Sequence, residues 1–250
     1  MKVTVGKNTD EMAFLAAGFI ENKLNDIVSK NGHARLLLST GESQLAVINH
    51  LREKNIQWDK IEIFHLDEYV GMPETHKASF RKYLKERIVD VVSPKKMHYV
   101  SGEGDIAANI SAITKEIRKA PIDLALIGIG ENAHIAFNDP PADFDTTEAF
   151  IVVKLDDGCK KQQVGEGWFA SVDDVPNEAI SITVYQMMQS STIVSIVPGK
   201  RKAEAVQNTL EASGTTNMIP ATKLKEHKDW HLFLDTDSAS LADPDKFKSL

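Results

Sequence analysis

The sequence predicts an α/β fold, a single domain built on a mainly parallel, twisted sheet with helices on both faces. Short, continuously apolar runs alternate along the chain with stretches whose apolar residues recur at helical spacing. Polar turn residues close nearly every apolar run. No internal repeat, low-complexity stretch or linker divides the 250 residues, a length that can bury a substantial core.

Asn8-Thr9-Asp10-Glu11 opens the first helix, with Asn8 and Glu11 at capping-box spacing. Met12, Leu15, Phe19, Leu24 and Val28 trace its apolar face until Asn31-Gly32 ends it. Leu36-Leu37-Leu38 is a buried strand closed by Ser39-Thr40-Gly41-Glu42-Ser43, and a helix follows through Leu45, Val47, Ile48 and Leu51. The strand Ile61–Leu66 ends at Asp67-Glu68-Tyr69-Val70-Gly71, followed by a loop at Pro73 and a helix from near Ser79 to Val89. After a stretch at Met97–Val100, Asp105 to Lys119 forms an amphipathic helix that leads into the buried strand Ile122–Ile127. The loop Gly128–Pro141 follows it. Phe150–Leu155 and Ala179–Val184 are shorter strands, and Thr192–Val197 is a clear one, ending at Pro198-Gly199 before a helix through Lys202, Ala205, Val206 and Leu210. The last strand is His231–Leu234, and the tail from about residue 236 is expected to be loosely held.

Formal net charge is −7 and no lysine/arginine block stands out, which disfavours a nucleic-acid partner. No apolar run reaches membrane-span length, and the N-terminus lacks a secretory apolar core. Cys159 is the only cysteine, so neither an intrachain disulfide nor a cysteine-based zinc site can form. A soluble, cytoplasmic protein without membrane contact is the expectation.

Ligands gather beyond the carboxyl ends of parallel strands. Four strand ends are therefore predicted neighbours: 39–43, 67–71, 128–139 and 198–202. Ser39, Thr40, Gly41, Glu42 and Ser43 combine hydroxyls, a glycine and free N–H groups at a helix start, which suits a phosphate as well as an ordinary N-cap. No Walker lysine follows, so a nucleoside triphosphate is disfavoured. Asp67 and Glu68 emerge from a buried strand on opposite sides, so one can act as a base while the other braces the loop. Gly128-Ile129-Gly130-Glu131-Asn132-Ala133 fits a loose dinucleotide pattern, but Pro140-Pro141 follows where a long helix should run. His134 and Asp139 on that loop are acid–base candidates. Lys202 in the first turn of a helix opposes the helix dipole and suggests an anionic ligand. His65, His134, His227 and His231 lack metal-ligand spacing apart from His227/His231, and no Gly-x-Ser-x-Gly elbow is present. No metal or other cofactor is expected.

These residues resemble the glucosamine-6-phosphate deaminase/isomerase family, which is related to the 6-phosphogluconolactonases. The resemblance covers nearly the whole chain. It is strongest at Phe64-His65-Leu66-Asp67-Glu68-Tyr69-Val70-Gly71 and at Gly128-Ile129-Gly130 with His134-Ile135-Ala136-Phe137-Asn138. Thr40-Gly41-Glu42-Ser43, Val175-Pro176-Asn177-Glu178-Ala179 and Gly199 with Lys202 support it. It implies a Rossmann-like fold and a cofactor-free enzyme that opens an amino-sugar phosphate ring, moves a proton between C2 and C1 and releases ammonia. By position, Asp67 would carry the C2 proton and His134 would assist ring opening. Thr40, Gly41, Ser43 and Lys202 would hold the phosphate, with Ser39, Glu42 and Gly130 beside them and Glu68 supporting.

Three departures from the family pattern stand out. Asn132 replaces the usual acid two residues before the histidine, and Ala133 the usual glycine. Asp139 replaces a glutamate, shorter by about 1.5 Å. No phosphate-binding arginine is evident near Gln162–Phe169. A 6-phosphogluconolactonase or another sugar-phosphate isomerase is the same-fold alternative, and a non-catalytic sugar-phosphate sensor the alternative of another class. The sequence leaves open whether copies form a homo-oligomer.

Overall fold

The computed structural model describes residues 1–247. Its strands are β1 (Lys2–Gly6), β2 (Ala34–Leu38), β3 (Ile61–His65), β4 (Asp67–Tyr69), β5 (Lys96–His98), β6 (Leu124–Leu126), β7 (Phe150–Lys154), β8 (Glu178–Ile182), β9 (Thr192–Val197) and β10 (Trp230–Asp235). The helices are α1 (Thr9–Asn31), α2 (Leu45–Glu53), α3 (Phe80–Leu84), α4 (Asp90–Val92), α5 (Ile106–Ile117), α6 (Asp157–Gly165), α7 (Val184–Met188) and α8 (Ala203–Glu211).

Seven strands form one sheet in the order β1-β10-β9-β6-β2-β3-β5, and every pairing in it is parallel. Its central strands are buried on both faces, which is why they appear in the sequence as unbroken apolar runs. Alternation divides their side chains between two cores. Leu36, Leu38, Leu124, Leu126, Val194 and Ile196 pack with α1 and α2. Leu37, Ala125, Ile193, Val197 and Leu232 pack on the other face with α5 and α8. From β2 the chain steps outward through β3 to β5, then returns to place β6 on the opposite side of β2 and continues to β9 and β10. The direction of travel thus reverses between β2 and β6, and the crevice at such a reversal is where an open parallel sheet binds its ligands.

A second sheet, in the order β4-β8-β7, is antiparallel. The expected strands near 150–155 and 179–184 lie here rather than in the main sheet, and Asp67-Glu68-Tyr69, expected as a strand-end turn, is itself strand β4. β1 was not expected, because as a partly exposed edge strand it carries no apolar run. The helix expected from Ser79 to Val89 divides into α3, a π turn at Lys85–Val89 and α4. The buried face of α1 uses Ala13, Ala16, Ala17 and Ile20 with Met12, Leu24 and Val28, whereas Leu15 is 38% exposed. α6 escaped notice because only Cys159 and Gln163 of its nine residues are buried.

The tail does not loosen at 236. Ser238 is fully buried and exchanges hydrogen bonds with Asp235, and Ala242 still packs in the core. Residues 248–250 of the expected tail lie outside the described residues. Among the described residues no helix is long and apolar enough to cross a membrane.

Candidate active site

The β2–α2 turn begins the site. Gly41 has φ 98°, a left-handed value that glycine adopts without strain, and a short 3-10 turn at Glu42–Gln44 leads into α2. The turn is anchored from both sides: the Tyr83 hydroxyl donates to the Gly41 carbonyl at 3.0 Å, and Gln44 Nε2 donates to the Ile196 carbonyl at 3.3 Å. Ser39 is 5% exposed, and its Oγ has no hydrogen-bond partner. A buried hydroxyl left unpaired is unfavourable, and a ligand oxygen would satisfy it.

Asp67 and Glu68 diverge as strand alternation dictates. Glu68 is fully buried and accepts hydrogen bonds from Ser79 Oγ, Arg81 Nε and the backbone N–H groups of Tyr69, Phe80 and Arg81. It therefore clamps β4 to the start of α3. Asp67 turns into the cleft, where burial, with the neighbouring Glu68 charge adding to it, pushes its pKa up to about 8. Behind it, burial holds His65 neutral, with its pKa pushed down to about 3, and its Nε2 accepts from the Val100 N–H at 2.8 Å.

On the β6 loop, the His134 imidazole lies over Gly130 so closely that a Cβ there would fall 2.2 Å from Cε1 and 2.3 Å from Nε2. Glycine is required at 130 for this stacking. Ala133 (φ 64°) and Ala136 (φ 50°) bend the loop through left-handed conformations that an L-residue adopts with strain. His134 Nδ1 lies 2.6 Å from Asn132 Oδ1 and 3.0 Å from Asp139 Oδ1. Both neighbours are acceptors, so Nδ1 carries the proton and Nε2 is left for a ligand. Asn132 Nδ2 donates to Asp139 Oδ1 at 2.9 Å, closing the triangle. Although burial raises it, Asp139 ends below the usual carboxylate pKa because His134, Asn132 and Cys159 stabilise its charge.

Gly199 (φ 85°) shapes the β9–α8 turn and donates its N–H to the Asp235 carboxylate. The turn buries Lys202 to 8% exposure; burial lowers its pKa, and Glu131 and Glu166 oppose the shift. Arg201 beside it spans two other parts of the rim, 3.6 Å from both Glu42 and Glu131.

Ser39, Thr40, Gly41, Glu42, Ser43, Asp67, Gly130, His134 and Lys202 all line one cleft at the β2/β6 reversal. Asn132 and Asp139 sit behind His134, and Glu68 sits behind the wall. The same cleft is lined by Phe80 and Phe137 and by three α6 residues, Gln162, Gln163 and Glu166, that motif reasoning did not select. Their recurrence with Cys159 at helical spacing was the available signal, obscured by the polarity of the segment.

The fold and cleft define a parallel α/β protein with an acid–base pair at one end of its site and an anion-suited turn and lysine at the other. A family model described as glucosamine-6-phosphate isomerases/6-phosphogluconolactonase matches residues 7–233, and the chain belongs to that family. It is 31% identical to the glucosamine-6-phosphate deaminase of Exiguobacterium sibiricum over 96% of this chain and 93% of that protein. Its identity to the glucosamine-6-phosphate deaminase of Streptococcus suis is also 31%, over 96% of this chain and 99% of that protein. Among solved structures, a monomeric glucosamine-6-phosphate deaminase superposes with a TM-score of 0.89 at 26% identity, covering 96% of this chain and 100% of the other. A 6-phosphogluconolactonase from Thermotoga maritima shares the fold, with a TM-score of 0.76 at 17% identity over 94% of this chain and 99% of that one.

Proposed function

We propose that the protein is a cytoplasmic glucosamine-6-phosphate deaminase, converting its substrate to fructose 6-phosphate and ammonia. The observation that carries this reading is the shared cleft: Asp67 and His134 face it at one end, the Ser39–Ser43 turn and Lys202 at the other. In the proposed reaction His134 Nε2 moves the O1 proton to the ring oxygen, opening the ring to the aldehyde. The Asp67 carboxylate takes the proton from C2 and returns it to C1, leaving an imine at C2. Water adds to that carbon and ammonia leaves, giving the ketose. Asn132 and Asp139 hold the imidazole in the tautomer this requires. Lys202, the Ser39 hydroxyl and the N–H groups of the turn hold the phosphate, a helix-start arrangement suited to an anion.

The assay supplies glucosamine 6-phosphate to the purified chain and measures ammonia and fructose 6-phosphate together, at one-to-one stoichiometry if the reading is right. Neither product at micromolar enzyme rejects it. Hydrolysis of 6-phosphogluconolactone by the same preparation would favour the lactonase alternative instead, and saturable sugar-phosphate binding without turnover the sensor.

A further inference from the structure

We propose that Gln163 reads the sugar hydroxyls midway between the reacting carbons and the phosphate, and so sets which epimer of the amino-sugar phosphate is accepted. The inference rests on the sugar-phosphate reading above. Tyr69 lies two residues beyond Asp67 on β4 and hence on the same face of that strand. Its hydroxyl donates to Gln163 Oε1 at 2.7 Å. Tyr69 is fully buried, with its ring 5.1 Å from Phe80, 5.5 Å from Phe137 and 5.4 Å from Phe169 between centroids, so the phenol has no other position to take. Gln163 itself is 7% exposed and lines the cleft.

With Oε1 committed to Tyr69, the amide offers a ligand two N–H donors and no acceptor. Its place along the cleft identifies the oxygen it would meet. Glu166, one helical turn further on, lines both this cleft and the groove that continues over Gly199–Lys202. Gln163 therefore stands on the Asp67 side of α6 and Glu166 on the Lys202 side, about 4.5 Å apart along the axis. The two ends of the ligand are already served, the reacting carbons by Asp67 and His134 and the phosphate by the turn and Lys202. A fixed donor between them meets a hydroxyl on a middle carbon, and epimers at C4 present that oxygen in different directions.

The test compares kcat/KM for glucosamine 6-phosphate and for its C4 epimer in the wild type, Gln163→Met, Tyr69→Phe and the double variant. Calorimetry on the two corresponding reduced, open-chain amino-alditol 6-phosphates gives the same comparison without turnover. The wild type is expected to prefer one epimer, and Gln163→Met to shrink that preference by about tenfold to a hundredfold, the effect of a stranded buried hydrogen-bonding group. Methionine also strands the Tyr69 hydroxyl and lowers the melting temperature; the double variant should recover stability while preference stays collapsed. A preference unchanged in Gln163→Met, one that returns with stability in the double variant, or a wild type indifferent to the epimers overturns the proposal. If neither sugar is turned over, the deaminase reading has failed on its own, and the calorimetric preference alone decides the role of Gln163.

Discussion

At the scale of single residues, Asp67 and Gly130 carry the sharpest consequences. A carboxyl with a pKa of about 8 holds its proton at neutral pH, so a base role for Asp67 gives kcat/KM an ascending limb near pH 8. Lys202, whose ammonium burial weakens, must keep its proton to hold phosphate, so the descending limb begins below the ordinary lysine range. Asp67→Asn should lower kcat by about 10²–10⁴-fold, measured with the ammonia assay. It should also change stability in a direction a structural acid would not. The folded-state pKa of Asp67 lies above its unfolded value of 3.8, so the folded chain loses stability as pH rises from about 4 to about 8. The asparagine variant escapes that loss and should melt higher than the wild type at pH 8.5, by a margin that vanishes near pH 4. Gly130→Ala forces the His134 ring off its seat, and because a misplacement near 1 Å costs about 10²-fold, kcat should fall by that order while circular dichroism stays native.

At the scale of elements, β4 and α3 are joined through one buried carboxylate. Glu68→Ala leaves the Arg81 guanidinium with a buried partner missing; losing half of such a pair costs about 3–5 kcal/mol. For a chain of this size that lowers the melting temperature by roughly 6–20 °C in calorimetry. The same element shows what sequence could and could not disclose. Strand alternation separated Asp67 from Glu68 correctly, because a two-residue period survives in any strand. It could not assign β4, β7 and β8 to a separate antiparallel sheet, since pairing partners are set by distant residues. α6 shows the complementary failure, a helix that borders a cleft and therefore lacks the apolar stripe by which helices are detected.

At the scale of the whole molecule, the four strand ends expected to converge do converge, because parallel pairing places every carboxyl end on one side and the β2/β6 reversal opens a crevice there. That inference needed only the order of apolar runs. The direction of the Gln163 amide and the seat of His134 over Gly130 needed coordinates, because each depends on contacts between residues far apart in the chain. The charge pattern of the cleft predicts its salt response. Lys202→Met removes the buried cation, so KM for the sugar phosphate should rise about tenfold to a hundredfold, and competition by inorganic phosphate should weaken in parallel. Titration of activity against phosphate concentration measures both.

α6 has a further consequence for how the cleft is reached. Its floor belongs to strands buried on both faces, whereas α6 is held by two buried side chains and a rim of polar contacts. Local opening follows such differences in packing. In deuterium exchange the amides of α6 should label well before those of β2 and β6, and sugar phosphate should slow the former while leaving the latter untouched. Labelling of all three at one rate would mean that this wall of the cleft opens only when the entire protein does.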